Sequence, residues 1–169
     1  AFFVEGETNS KLMKYKINLL RENNKDILKK LLDIHHNAFK KFCFRTWNYR
    51  DFLDLFKNGL YIFYYISNNK IFGFIIVKYS SDFNEIITIA VDNIYQDRNI
   101  GKSLLMHAVN FPKLSGDLYL EVAVNNYKAL HFYQKYGFKN VSERKKYYLI
   151  RSGKNKGERL DALVMKLVN

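Results

Sequence analysis

The stretch Val91–Val109, VDNIYQDRNIGKSLLMHAV, decides how this chain is read. It leaves an apolar run and enters a helical one through Gly101-Lys102-Ser103, the closing residues of a nucleotide P-loop, G-x-x-x-x-G-K-[ST]. That pattern needs a glycine at position 96, where Gln96 stands. Without it the loop cannot wrap its amides around a triphosphate. A strand-to-helix turn explains the stretch better. The first N–H groups of a helix have no partner within it, and the helix dipole favours an anion there. Asn99 tolerates left-handed backbone geometry, and Gly101 allows a ligand to approach the main chain. Gln96, Asp97, Arg98, Asn99, Ile100, Gly101, Lys102 and Ser103 therefore form a candidate cradle for a pyrophosphate.

Moving outward, the patterns alternate between strand and helix. Upstream, Tyr15 to Glu22 reads as a first strand. NKDILKKLLDIHHNAF places Ile27, Leu28, Leu31, Leu32 and Ile34 at helical spacing, with Asn24 as a cap. KKFCFRT reads as a loop and WNYRDFLDLFKN as a second helix, stopped by Gly59. LYIFYYIS and KIFGFIIVKYS are strand-like runs joined by an Asn68-Asn69 turn, and NEIITIAVD is a third. Downstream, DLYLEVAV is a strand, NYKALHFYQKYGF a helix ending at Gly137, and KNVSERKKYYLI and RLDALVMKLVN two closing strands. The order predicts an α/β (α+β) fold: a mixed, mostly antiparallel sheet of about seven strands, flanked by about four helices.

A chain of 169 residues, 48% of them hydrophobic, can bury one full core. A single domain is expected over 15–169, with 1–14 as a tail. No run is long enough for a membrane span. Cys43 is the sole cysteine, which excludes an internal disulfide and fits a reducing compartment, the cytoplasm or an organelle. Cys43 near His35 and His36 lacks the further ligands a metal site needs. The net charge of +12 is dispersed along the chain. It favours an anionic partner over specific DNA reading.

A second stretch settles the comparison. LYLEVAVNNYKALHFYQKYGF contains N-x-x-A-x-x-x-Y-x-x-x-G-F as Asn126, Ala129, Tyr133, Gly137 and Phe138. Gln96 to Gly101 matches Q/R-x-x-G-x-G/A, with Asn99 where the first glycine belongs. With these two motifs in this order, the chain from about Tyr15 onward resembles the GNAT superfamily of acetyltransferases. ERKKYY and DALVMKL extend the likeness to its protein N-terminal acetyltransferases.

The resemblance implies transfer of an acetyl group from acetyl-CoA to a primary amine, the α-amine of a protein or peptide before others, with no metal and no covalent intermediate. Such an amine must lose a proton and the thiolate must gain one; the thioester oxygen needs a donor such as a backbone amide. Tyr133 is implied as the acid. Glu121 is the favoured base and Glu85 its competitor. In the LYLEVAV strand, alternation sets Glu121 opposite Leu118, Leu120 and Val122. The pantetheine arm would pair with Ile89, Ala90 and Val91, and Asn126 would bond the same arm. Phe39, Phe42, Phe44 and Trp47 suggest an apolar wall for the substrate, and Tyr147 and Tyr148 would hold its backbone. A ribosomal protein is a fitting substrate, ribosome association fits the basic charge, and an auxiliary subunit is a further expected partner. Two readings compete: a GNAT acting on lysine side chains or small amines, and a non-catalytic basic module that binds RNA or the ribosome.

Overall fold

The computed structural model describes residues 4–8 and 13–169, with side chains from Lys14 onward. Eight strands form one sheet in the order β1-β2-β3-β4-β5-β6-β8-β7. They are β1 (Val4–Thr8), β2 (Met13–Leu19), β3 (Tyr61–Ser67), β4 (Lys70–Lys78), β5 (Asn84–Val91), β6 (Leu118–Ala123), β7 (Lys139–Leu149) and β8 (Arg159–Leu167). The helices are α1 (Lys25–Phe39), α2 (Tyr49–Lys57), α3 (Ile100–Val109) and α4 (Tyr127–Lys135). Seven strands and the four helices match the expected mixed sheet. The eighth, β1, lies in the stretch expected to be a tail, and pairs antiparallel with β2. VEGET carries no apolar alternation, so its pairing was not legible. The rest of that expected tail, 1–3 and 9–12, lies outside the described residues, and β2 starts at Met13 rather than Tyr15.

Local chemistry explains the element ends. The Asn24 carboxamide accepts from Ile27 N at 3.0 Å and caps α1. Asn48 and Asp51 close a capping box on α2. Asn68 and Asn69 turn the β3–β4 hairpin with φ of 47° and 58°, the left-handed pair that suits strand twist.

The sheet divides two cores. Leu28, Leu31 and Ile34 of α1 and Phe52 of α2 pack with Ile62, Phe74 and Ile76 on one face. Leu104, Leu105 and Ala108 of α3 and Tyr133 of α4 pack with Phe63, Ile75 and Leu120 on the other. Each fully buried Leu, Ile or Phe contributes about 1.5–3 kcal/mol.

Two irregularities in β5 open the sheet. Ile76 pairs with Thr88 but Val77 with Ile86, leaving Ile87 as a bulge. Hence Ile86 and Ile89, three residues apart, share the α3–α4 core, while Ile87 faces the other. Beyond the bulge β5 loses its parallel partner. Its pairing with β6 runs only from Asn84–Leu118 to Ile86–Leu120. Past that point the two strands bound a cavity.

Candidate active site

The cavity has a volume of about 840 Å³ and runs between the separated ends of β5 and β6. Its floor is Ile86 to Val91 on one side and Leu120 to Ala123 on the other. One part reaches the start of α3, where Gln96, Asp97, Asn99, Ile100, Gly101 and Lys102 line it together with Asn126 and Lys128. Asn99 sits at φ 62°, ψ 11°. The asparagine thus takes the left-handed conformation that a glycine would supply, and Asp97 does likewise at φ 63°. Asn99 makes no side-chain cap, and the first turn of α3 holds no acid. The N–H end of α3 is therefore presented to the cavity. A Cβ on Gly101 would meet Phe132 at 3.5 Å, an ordinary contact. Packing within the protein does not demand glycine there, whereas a ligand pressed against the backbone would.

Gln96 braces this loop. Its amide donates to the Val91 carbonyl and to Asn93 Oδ1, each at 3.1 Å, and its oxygen accepts from Lys128 Nζ at 3.0 Å. Lys128 also meets Asp97 at 3.3 Å, which ties α4 to the cradle. Asn126 caps α4 by accepting from Ala129 N at 3.2 Å. Arg98 and Ser103 do not line the cavity. Arg98 lies over the Tyr95 ring, and the Ser103 hydroxyl donates to the Asn99 carbonyl at 3.0 Å.

The opposite part is aromatic. Phe39, Phe42, Phe44, Trp47, Tyr147 and Tyr148 all line the cavity. Phe42 stacks on Phe44 at 6.0 Å between ring centres and Phe44 on Tyr148 at 4.8 Å. The connection between α1 and α2 is thereby joined to the β7–β8 hairpin. Register explains how the tyrosines reach inward. Arg144 pairs with Ala162 but Tyr148 with Leu160, so β7 carries extra residues opposite Asp161. Lys146, at φ 51°, donates its N–H to Asp161 Oδ1 at 2.8 Å within this bulge. His35 closes the wall, stacked on Trp47 at 4.4 Å. Burial, reinforced by neighbouring His36, lowers its pKa to about 4.

Between the two parts lie Glu121 and Tyr133, both on the lining. The Glu121 side chain is 15% exposed and meets Arg144 Nε at 2.7 Å. Arg144, whose guanidinium also lies 5.5 Å from the Tyr147 ring centre, was not singled out in the sequence. Its partner sits across a strand pair, so no local pattern points to it. Burial first, then the nearby Glu121 charge, raises the Tyr147 phenol above its ordinary pKa. Tyr133 is 6% exposed, and burial pushes its phenol far above the usual range. Glu85 does not line the cavity; burial and then the Glu121 charge push its carboxyl upward. The cavity thus joins an anion-receptive loop, a carboxylate held by Arg144, a buried phenol, and an aromatic wall.

Comparisons with known proteins agree with this arrangement. The family described as Acetyltransferase (GNAT) matches residues 26–138. The chain is 42% identical over 66 residues to N-alpha-acetyltransferase RimI of Mycobacterium tuberculosis, covering 39% of this chain and 41% of that protein. It is 32% identical over 102 residues to the [ribosomal protein bS18]-alanine N-acetyltransferase of Escherichia coli, covering 59% of this chain and 66% of that protein. The matches therefore span less than two thirds of these curated relatives. The crystal structure of the ribosomal-protein-S18-alanine N-acetyltransferase from Escherichia coli superposes with a TM-score of 0.77 at 26% identity, covering 91% of this chain and 93% of that one. With the family matched over more than half its length, and its two motifs meeting in one cavity, the chain belongs to the GNAT acetyltransferase family.

Proposed function

We propose that the protein transfers an acetyl group from acetyl-CoA to the N-terminal α-amine of a protein or peptide. The observation that carries this reading is the continuity of one cavity, from the start of α3, past Glu121 and Tyr133, to the aromatic wall. Acetyl-CoA supplies the acetyl group as an activated thioester. The amides at the start of α3, with Lys102 and Lys128 nearby, suit its pyrophosphate. The β5 edge from Ile87 to Val91, free of β6, suits an extended polar arm.

Glu121 is the base in this reading. It lines the cavity and interacts with Tyr147 of the aromatic side, whereas Glu85 stands outside the lining. Arg144 holds the Glu121 carboxylate in place, so removing the proton from the amine needs no rotamer search. Tyr133 donates to the departing sulfur, its burial keeping the phenol protonated at neutral pH. Tyr147 and Tyr148 flank the incoming backbone, and Phe42, Phe44 and Trp47 favour an apolar first side chain. A ribosomal protein is a natural substrate to try first, because a relative acts on one. No described helix is long and apolar enough to cross a membrane. A cytoplasmic site of action accords with such a substrate.

A library of free-N-terminus peptides incubated with acetyl-CoA and read by mass spectrometry tests the proposal. Acetylation at the α-amine, with apolar first residues preferred, is the expected result. Acetylation at lysine Nε or of small amines alone would replace it with the rival enzyme reading. RNA binding without release of CoA on any peptide would favour the non-catalytic one.

A further inference from the structure

The peptide end of the cavity is more basic than acetyl transfer requires. Lys41 and Arg45 come from the connection between α1 and α2, and Arg151 and Arg159 from the β7–β8 hairpin. All of them line the cavity and are exposed. The two segments are bound together: Arg151 N donates to the Cys43 carbonyl at 2.7 Å, and Phe44 stacks on Tyr148. Their cations therefore border one opening rather than scatter over the surface.

Their compensation is partial. Arg45 pairs with Asp51 at 2.9 Å. Arg159 reaches the Lys146 carbonyl at 3.5 Å, a contact that leaves its charge unopposed. Lys41 lies over the Phe42 ring at 5.1 Å. Among the described residues, Lys41, Arg151 and Arg159 have no ion-pair partner. The acids available are already engaged. Asp97 and Glu121 are the carboxylates of the lining, held by Lys128 and Arg144. Asp161 is engaged by Lys145 and by the Lys146 N–H. Glu158, exposed in the hairpin turn, is not part of the lining and is outnumbered there by Arg151, Lys154, Lys156 and Arg159. The pyrophosphate accounts for the cations beside α3 and α4, but not for these, which are carried by other elements.

We infer that the accepted peptide carries acidic side chains just after its N-terminal residue, read by Lys41, Arg151 and Arg159. This rests on the N-terminal acetyltransferase reading. An N-terminal residue seated against Phe42, Phe44 and Trp47 leaves the following residues at this opening. Their side chains meet positive charge that steers acidic sequences in and turns basic ones away.

The test uses peptides that share one apolar first residue and differ only in the next few. These are aspartate and glutamate, asparagine and glutamine, or lysine and arginine, and kcat/KM is measured at low salt. Acidic peptides should exceed neutral ones by roughly tenfold, as several modest exposed charge contacts allow, and neutral should exceed basic. The acidic-to-neutral ratio should shrink as salt rises and in a Lys41→Gln, Arg151→Gln double variant. A Lys41→Glu, Arg151→Glu variant should invert it. Equal rates for acidic and neutral peptides, or a ratio untouched by both double variants, would overturn the inference alone. The N-terminal reading would stand, since the peptides are still acetylated. Acetylation of none of the peptides would bring down both.

Discussion

Two buried rings on the cavity wall do opposite electrostatic work. The Tyr133 phenol keeps its proton because burial, with Tyr148 adding to it, penalises the phenolate. Tyr133→Phe removes that proton while preserving the ring contacts with Phe132 at 5.3 Å and Phe138 at 5.5 Å. If Tyr133 is the acid, kcat should fall by about 10²–10³, while acetyl-CoA affinity changes little. Thiol release and calorimetry measure the two, and an unaltered kcat removes Tyr133 from the proton path. His35 keeps its proton off. Its folded pKa of about 4 lies below the unfolded value of 6.5, so between those values the unfolded chain binds a proton that the folded one refuses. Stability should therefore fall as pH drops through that window, by on the order of 3 kcal/mol from this residue. Urea denaturation at several pH values in the window should show His35→Phe losing much of that slope. A slope unchanged in the variant would mean that His35 is not its source.

Among the elements, α3 is the one where the proposed cofactor site predicts a trade of stability for binding. Gly101 lies in its first turn, where alanine is favoured over glycine by up to about 1 kcal/mol and meets only ordinary contacts. Gly101→Ala should leave Tm equal or slightly higher, yet raise KM for acetyl-CoA by about tenfold if the main chain abuts the donor there. A lower Tm with unchanged KM would refute that trade. This element was legible in the sequence because its chemistry is local. Gln96, Asn99 and Gly101 are spaced as a turn into a helix, and Asn99 is one of few residues that accept the required φ. The cap Asn24 and the Asn68-Asn69 turn are local in the same way, and their elements lie where the pattern put them to within a few residues. What escaped were long-range pairings. Arg144 finds Glu121 only because β7 and β6 both flank β8. Lys41 and Arg151 border one opening only because a hairpin folds over the α1–α2 connection. β1 escaped because pairing with β2, rather than its own composition, makes it a strand.

At the scale of the whole molecule, the eight-stranded sheet serves two clients from one opening. In the proposed reaction, the side that faces α3 and α4 would hold what is common to every turnover, and the side that faces the hairpin would hold the protein end that is offered. The two differ in the atoms they offer. The hairpin side presents rings and charged tips, so single substitutions there can retune which sequences are accepted. The α3 side adds the amides at the helix start to the Lys102 and Lys128 side chains, and β5 beyond Ile87 adds an edge that β6 leaves unpaired. A grip made of peptide groups is indifferent to the side chains that hang from it. If this edge holds the donor, exchanging Ile89, Ala90 and Val91 for other strand-forming residues of similar bulk should leave KM for acetyl-CoA unchanged. On the proposed reading, the chain could drift toward a new clientele at one end while the bare edge, anonymous in sequence, kept the other end fixed.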